Sequence, residues 1–368
     1  MTIGVVGASA RAAVHSLARA GLDAWAVDLF VDRDLARVAP CMLCPAPHYP
    51  TGLPALAQQF PPGRILYTGG LENHPEVVAE LAAKHELWGN SPTVLRSVRN
   101  PYQLSATLQA HRILTPQLLP LGKPVPSHGV WLSKPIRGAG GIGIRYAQPG
   151  ERPHVERYVQ EFVAGEALSA VYVDQSLFGV TQQLIGESWV HARAFTYCGS
   201  IGPIPLSSSM REQLLFLGEA LHDVYKIQGV WNVDVVVNEG RVFVVEVNPR
   251  YSASVEVLEH ALGRAALGSG PADAAATKGT AAKAVYYAPR RLRFPKTGPW
   301  EADLNNPFDP WRIPTYADIP APGSIIELAH PVLSVLLIGS SAVDCRRQLQ
   351  SRACELDRLL LEHGHDTE

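Results

Sequence analysis

Cysteine is scarce and odd in number, with five thiols in 368 residues. No disulfide framework can hold such a chain, and the count fits a reducing compartment. Cys41 and Cys44 form a CxxC with His48 close behind. No second CxxC or HxxxH supplies the other half of a structural zinc site, so these thiols read as buried or incidental. Long apolar runs are missing too. The N-terminus has no basic lead followed by an extended hydrophobic segment, and the run at 335–338 is far too short to span a bilayer. The expectation is a cytoplasmic chain with no membrane contact. Neither sign of charge dominates: Lys plus Arg is 32 against Asp plus Glu 34. Nothing here attracts nucleic acid, and the expected partners are small molecules. Internal repeats and sustained heptads are absent as well.

What the chain does have is 46% hydrophobic residues against 18% charged, enough to bury more than one core. Residues 3–7, 8–21 and 24–29 read as strand, helix and strand, a β-α-β opening. Asp28 then stands where a dinucleotide fold would bind ribose, but GASARA offers one glycine where that turn wants three. A further strand at 64–67 leads into Thr68–His74 and a helix from 75 to 85. Loops at the carboxyl ends of parallel strands bind ligands, which makes Glu72, Asn73, Ser9 and Arg11 substrate-site candidates beside their simpler reading as helix caps. Polar and proline residues at 90–101 mark a boundary, and 102–112 is a helix. Strands follow at 170–173, 178–184 and 188–197, the last placing His191 as a satisfied sheet residue. Helices are expected at 211–225 and from 256 to 262. Residues 268–280 form a Gly- and Ala-rich loop, 283–287 a strand, and 289–322 is irregular. There Trp300, Trp311 and Tyr316 form either an exposed stacking array or part of a core. A helix at 341–362 opens on a capping-box-like Ser341-x-x-Asp344 and carries Leu349, Ala353, Leu356 and Leu360 on one face.

Three stretches carry chemistry. The strand 129–136 sets Lys134 in an apolar setting, and Gly138, Gly140, Gly141 and Gly143 follow with GxGxxG spacing. A dinucleotide fold needs a helix next, whereas 142–146 reads as a strand, so the glycines form a flap whose amides can lie over a triphosphate. Lys134 can add a point charge to those phosphates. In YVQEFVAGEALS, extended backbone through Glu161, Phe162 and Val163 can meet an adenine edge, and Glu166 can accept from ribose hydroxyls. Finally, 233–237 and 242–247 read as a hairpin around Asn238-Glu239-Gly240. With a three-residue loop, Val237 faces Arg241, and Asp234, Glu246 and Asn248 share one face with Asp234 diagonal to Glu246, a hard-oxygen magnesium site. With a two-residue turn Asp234 moves to the opposite face, and the acids are a solvated edge.

Taken in order, lysine before a glycine flap, QEFVxGE, an acid on one strand and ExNPR on the next resemble the ATP-grasp superfamily of carboxylate-activating ligases. The resemblance covers residues 95–260 directly. The stretch from GASARA to VDRD is also similar to a prokaryotic subgroup of predicted ATP-grasp carboligases. It implies an ATP-grasp architecture, α/β and α+β, with an N-terminal Rossmann-like domain at 1–94, a small subdomain with the flap at 95–165 and a large subdomain at 166–368, and it allows a homodimer. It further implies ATP with one or two Mg2+ ions, or Mn2+, as cofactors. Lys134 would hold the α- and β-phosphates, Gly138–Gly143 would close over them, Glu161–Val163 would meet adenine and Glu166 ribose. Asp234, Glu246 and Asn248 would hold metal, and Arg250 would steady the transferred phosphoryl group. Many relatives carry a phosphate-binding lysine where this chain has Asn100-Pro101-Tyr102-Gln103, so Arg99 or Arg96 would substitute. The implied reaction activates a carboxylate as an acyl phosphate and joins it to an amine. Carboxylation through carboxyphosphate is the enzymatic alternative, since 318–339 is similar to the region that follows the grasp domain in biotin carboxylase. A nucleotide-binding regulator without turnover is the third.

Overall fold

A computed structural model describes residues 2–268 and 279–362. The predicted loop at 268–280 therefore lies almost wholly outside the described residues.

Three apolar stretches and two short edges build an all-parallel sheet: β1 (Thr2–Gly7), β2 (Asp23–Asp28), β3 (Cys41–Leu43), β4 (Arg64–Tyr67) and β5 (Glu86–Leu87), in the order β3-β2-β1-β4-β5. Strand order reverses between β1 and β4, so the crevice beyond their carboxyl ends is the natural ligand position. The loops there are 8–10 and 68–74. Asp28 is engaged by the backbone and does not stand free for a ribose. Its buried carboxylate accepts from the amides of Ala10, Phe30 and Val31 at 2.6 to 2.7 Å and shapes the turn after β2.

A small antiparallel sheet follows, β7-β6-β8, from β6 (Trp131–Pro135), β7 (Arg145–Tyr146) and β8 (Arg157–Glu161). The glycines lie between β6 and β7, as the flap reading requires, but the strand after them is two residues long, not five. The boundary segment is folded: helix Pro92–Val98 is capped by Ser91 and helix Pro101–Ala110 by Asn100.

The third sheet is antiparallel, with eight strands. It runs β13-β12-β9-β10-β11-β14 and ends on Pro331–Gly339 and Tyr316–Ala317, where β9 is Glu166–Val173, β10 Ser176–Ile185, β11 Tyr197–Gly202, β12 Val230–Asn238, β13 Arg241–Asn248 and β14 Thr280–Tyr287. The expected strand at 188–197 is displaced. Ser188–Val190 is a 3-10 turn, His191 and Phe195 have positive φ, and the strand begins only at Tyr197. His191 is satisfied by Asp357 at 2.7 Å, outside any sheet. Trp300 and Tyr316 are 0% and 3% exposed and pack with Phe294, which removes them from an exposed stacking array. Helix Ala342–Asp357 starts at the Ser341 cap, and its buried Leu349, Ala353 and Leu356, with Leu360 beyond it, join the same core.

Helix Arg11–Arg19 bridges the first and third sheets through charge. Buried Arg11 binds both carboxylate oxygens of Glu256 and, at 2.9 Å, Asp318, while Lys283 reaches the same two acids at 2.9 and 3.0 Å. Arg11 is therefore committed to the packing of the two sheets rather than to a substrate loop. Burial, with Arg11 and Arg19 alongside, pushes the His15 imidazole on this helix down to about 3. The unfolded chain binds that proton near pH 6.5 and the folded one does not. Stability is complete above pH 6.5 and falls as pH drops, by about 2 kcal/mol at pH 5. His260 is pushed down to about 3 by burial and Arg19. The variant His15→Gln is expected to halve the slope these two residues give to melting temperature between pH 7 and 5; an unchanged slope in thermal melts would refute it.

Candidate active site

The hairpin β12-β13 decides where the acids point. Its loop is a two-residue turn, Glu239-Gly240, both at positive φ in the pattern of a type I′ turn, with Asn238 facing Arg241 and Val237 facing Val242. The expectation of a three-residue loop is corrected. A two-residue turn with regular pairing would bring Val245 opposite Asp234. Instead a bulge intervenes: the register passes from Val235 against Val244 to Asp234 against Glu246, leaving Val245 as the extra residue. Asp234 and Glu246 are thus direct neighbours on one face, not diagonal ones. The other face, with Trp231, Val233, Val235, Val242, Val244 and Val247, is buried in a core, which pins the register.

Asp234 is surrounded by amides. Asn248, Asn232 and Gln183 each donate to it at 2.9 Å. Burial, then the charge of Glu246, pushes its carboxyl up to about 6 despite these bonds. Glu246 goes the other way. Burial opposes its charge, but Arg99 and Lys134 outweigh it and hold the carboxyl below its ordinary range. Arg250 donates to Glu72 at 2.8 Å and lies 3.4 Å from Asn248 Oδ1. Through Glu72 the loop after β4 joins the site. Glu72 Oε2 and Arg250 Nε are buried without a protein partner among the described residues.

Lys134 is buried in β6, bonded to Gln160 at 3.1 Å and over the Tyr158 ring. The glycine loop lies down on this floor. Gly138 O accepts from Arg99 at 2.8 Å and Asn73 at 2.9 Å, and Gly140 O from the Tyr197 amide at 3.0 Å. Gly140, Gly141 and Gly143 all have positive φ, and a Cβ on Gly141 would lie 1.8 Å from Phe195 O. Arg99, Lys134, Gly138, Gly141, Tyr158 and Glu246 line a small cleft of about 40 Å³, room for a few waters. A larger open groove, about 620 Å³ beside Asp303, Tyr316, Arg352 and Glu355, holds none of the residues expected to bind nucleotide or metal.

The structure therefore gathers Lys134, Gly138, Gly141, Asp234, Glu246, Asn248 and Arg250. Gly140 and Gly143 shape the loop without lining the cleft. Glu161, Phe162, Val163 and Glu166 stand outside it. The amides of Glu161 and Phe162 already donate to Gln117 O and Val130 O at 2.8 Å, and exposed Glu166 accepts from Gln182 at 3.0 Å. Of the two substitute arginines, Arg99 enters the site and Arg96 is exposed. Ser9 is exposed at the crevice rim. Asn232 and Gln183 join the site without being among the expected residues. Asn232 carried a signal, since it sits two residues before Asp234 and so shares its face. Gln183 had none, because only the sheet brings β10 within reach.

A glycine loop and a lysine thus lie over a hairpin bearing two acids, an amide and an arginine. Residues 98–254 match the ATP-grasp domain, and the chain carries that domain. Over nearly its whole length it has the same fold as L-amino acid ligase from Bacillus licheniformis (TM-score 0.64, 15% identity, 98% of this chain and 97% of that one). N5-carboxyaminoimidazole ribonucleotide synthetase from Thermus thermophilus is equally similar (TM-score 0.65, 13% identity, 98% of each chain). So is the biotin carboxylase domain of 2-oxoglutarate carboxylase from Hydrogenobacter thermophilus, a dimer solved with MgADP and bicarbonate (TM-score 0.66, 12% identity, 95% and 88%). No helix among the described residues is long and apolar enough to cross a membrane.

Proposed function

We propose that this chain is an ATP-dependent ligase that activates a small-molecule carboxylate as an acyl phosphate and joins it to an amine. The observation that carries the reading is the single floor on which Asp234, Glu246 and Asn248 meet Arg250, Arg99 and Lys134 beneath the glycine loop.

Among the described residues no three His, Cys, Asp or Glu side chains converge, so a metal would rest on two carboxylates and an amide. That donor set fits magnesium, which takes few protein oxygens and shares the rest with phosphates and water. Two carboxylates side by side, one pushed up to about 6, also form a position that a cation stabilises. Asp234, Glu246 and Asn248 would hold it, and when bound it would neutralise charge on the phosphate oxygens.

Lys134 and the loop amides at 138–143 bind the phosphates, and Arg99 stands in for the early lysine of many relatives. A substrate carboxylate oxygen attacks the γ-phosphorus, the bond to the β-phosphate oxygen breaks, and ADP leaves. Arg250 stabilises the charge on the transferred group, which is electrostatic catalysis. An amine nitrogen then attacks the acyl carbon, inorganic phosphate departs and the nitrogen loses one proton. Glu161–Val163 with Glu166 on the rim are assigned to adenine and ribose, as an outer wall of the nucleotide site.

Mass spectrometry of pooled carboxylates and amines with ATP and Mg2+ tests this. An amide product formed with ADP supports it. ADP release stimulated by bicarbonate alone means carboxylation, and no ADP with any pair means a binding protein.

A further inference from the structure

Arg99 has five N–H donors, and all five are engaged. Nη1 binds Glu246 and, at 3.3 Å, Val247 O; Nη2 binds Gly138 O at 2.8 Å and Asn73 Oδ1 at 3.0 Å; Nε binds Asn73 Oδ1 at 3.2 Å. One guanidinium thus ties together the hairpin that bears the acids, the glycine loop, and the loop after β4 that bears Glu72. Asn73 closes the triangle by donating to Gly138 O at 2.9 Å. The residue caps the C-terminal end of a short helix whose Leu95 and Val98 are buried, which anchors its backbone.

Two consequences follow from charge and geometry. A cation taken up by Glu246 meets the positive charge of Arg99 on the same carboxylate, so the two compete for it. The fork that holds Glu246 through Nη1 is the same rigid group that holds Gly138 through Nη2, so it cannot leave one partner and keep its geometry at the other. We propose that Arg99 is a positioning residue that couples cation binding at Glu246 to release of the glycine loop, and through Asn73 to the substrate loop. This rests on the assignment of Glu246 as a metal ligand. It makes arrival of the metal with its nucleotide and release of the loop from Arg99 one linked event, which frees the loop amides to settle on the phosphates and leaves a guanidinium beside them.

The test uses the full chain without nucleotide, Mn2+ alone as the probe, paramagnetic resonance for metal affinity and hydrogen exchange of the 137–144 amides for the loop. In the unmodified protein Mn2+ is expected to speed exchange of the loop. In Arg99→Gln the loop is expected to exchange fast with or without Mn2+, and Mn2+ to bind about tenfold tighter, within the usual range of coupling between sites. Asn73→Ala, which keeps the Glu246 pair, is expected to speed the loop and leave Mn2+ affinity within about twofold. Arg99→Lys keeps the charge but not the fork, so it is expected to keep Mn2+ affinity and lose loop protection. That variant serves if the glutamine form is unfolded in a thermal melt. Unmodified loop exchange on adding Mn2+, or unmodified Mn2+ affinity in a folded Arg99→Gln, overturns the coupling. Undiminished Mn2+ binding by Glu246→Gln overturns the metal assignment on which it rests. Failure of the pooled product screen with these shifts intact overturns the ligase reading alone.

Discussion

Glu246→Gln is expected to lower ADP formation by about 10²- to 10³-fold while leaving the protein folded. Glutamine keeps the shape of the side chain and leaves Arg99 an oxygen to bind, so the contacts to Asn73 and Gly138 persist. What goes is the negative charge that faces Asp234 across the strands. A carboxylate beside a carboxylate is costly unless a cation joins them, and the neighbour's charge is one reason Asp234 is pushed up to about 6. With Glu246 neutral, Asp234 ionises more easily but is left as one carboxylate where the proposed chemistry needs two. ADP release, read beside a thermal melt, distinguishes the outcomes. Full activity in the variant would remove the hairpin from the mechanism; lost activity with a collapsed melt would assign Glu246 to folding.

The second large effect is expected at Gly141. Its φ is +77° and an added Cβ would lie 1.8 Å from Phe195 O. That oxygen is backbone in a segment tied to the loop by the Tyr197 amide, so it cannot swing aside as a long side chain could. Gly141→Ala must therefore lift the loop, and ADP formation is expected to fall about 10²-fold or more, in line with the cost of misplacing a bound substrate. Gly140→Ala is the control. Gly140 also has positive φ, +60°, but nothing lies within 4 Å of its added Cβ. Only the left-handed penalty remains, about 1–2 kcal/mol, a loss of roughly tenfold. Equal losses in the two variants would mean that glycine serves conformation alone and that contact with Phe195 is incidental.

Local pattern encodes some of these positions and not others. The hairpin strands are β-branched and aromatic, and their buried face alternates, so β12 and β13 could be read within a few residues. The turn could not. Asn238-Glu239-Gly240 allows either loop length, and only a bulge at Val245, chosen by the fit of Val244 and Val247 into one core, brings Glu246 opposite Asp234. The two acids do share a face, as expected, but on a different register. The stretch 188–197 looked like a strand because Trp189, Val190, Ala192, Phe195 and Tyr197 have the right composition. It turns instead, because Tyr197–Gly202 pairs with β10 and β14 and the preceding residues must cross over to reach it.

The order of the parts is written locally in the chain: a parallel opening, a lysine before a flap, an acid-bearing hairpin and an arginine two residues past Asn248. Those follow from periodicity, glycine spacing and residue chemistry, which are local. It takes the packed sheets to bring Arg99 and not Arg96 into the site, to pair Arg11 with Glu256, and to set Glu72 against Arg250. The partners in these pairs are 147, 245 and 178 residues apart. No local pattern encodes them, because long-range charge pairing is settled when the sheets pack and each buried ion must find a partner.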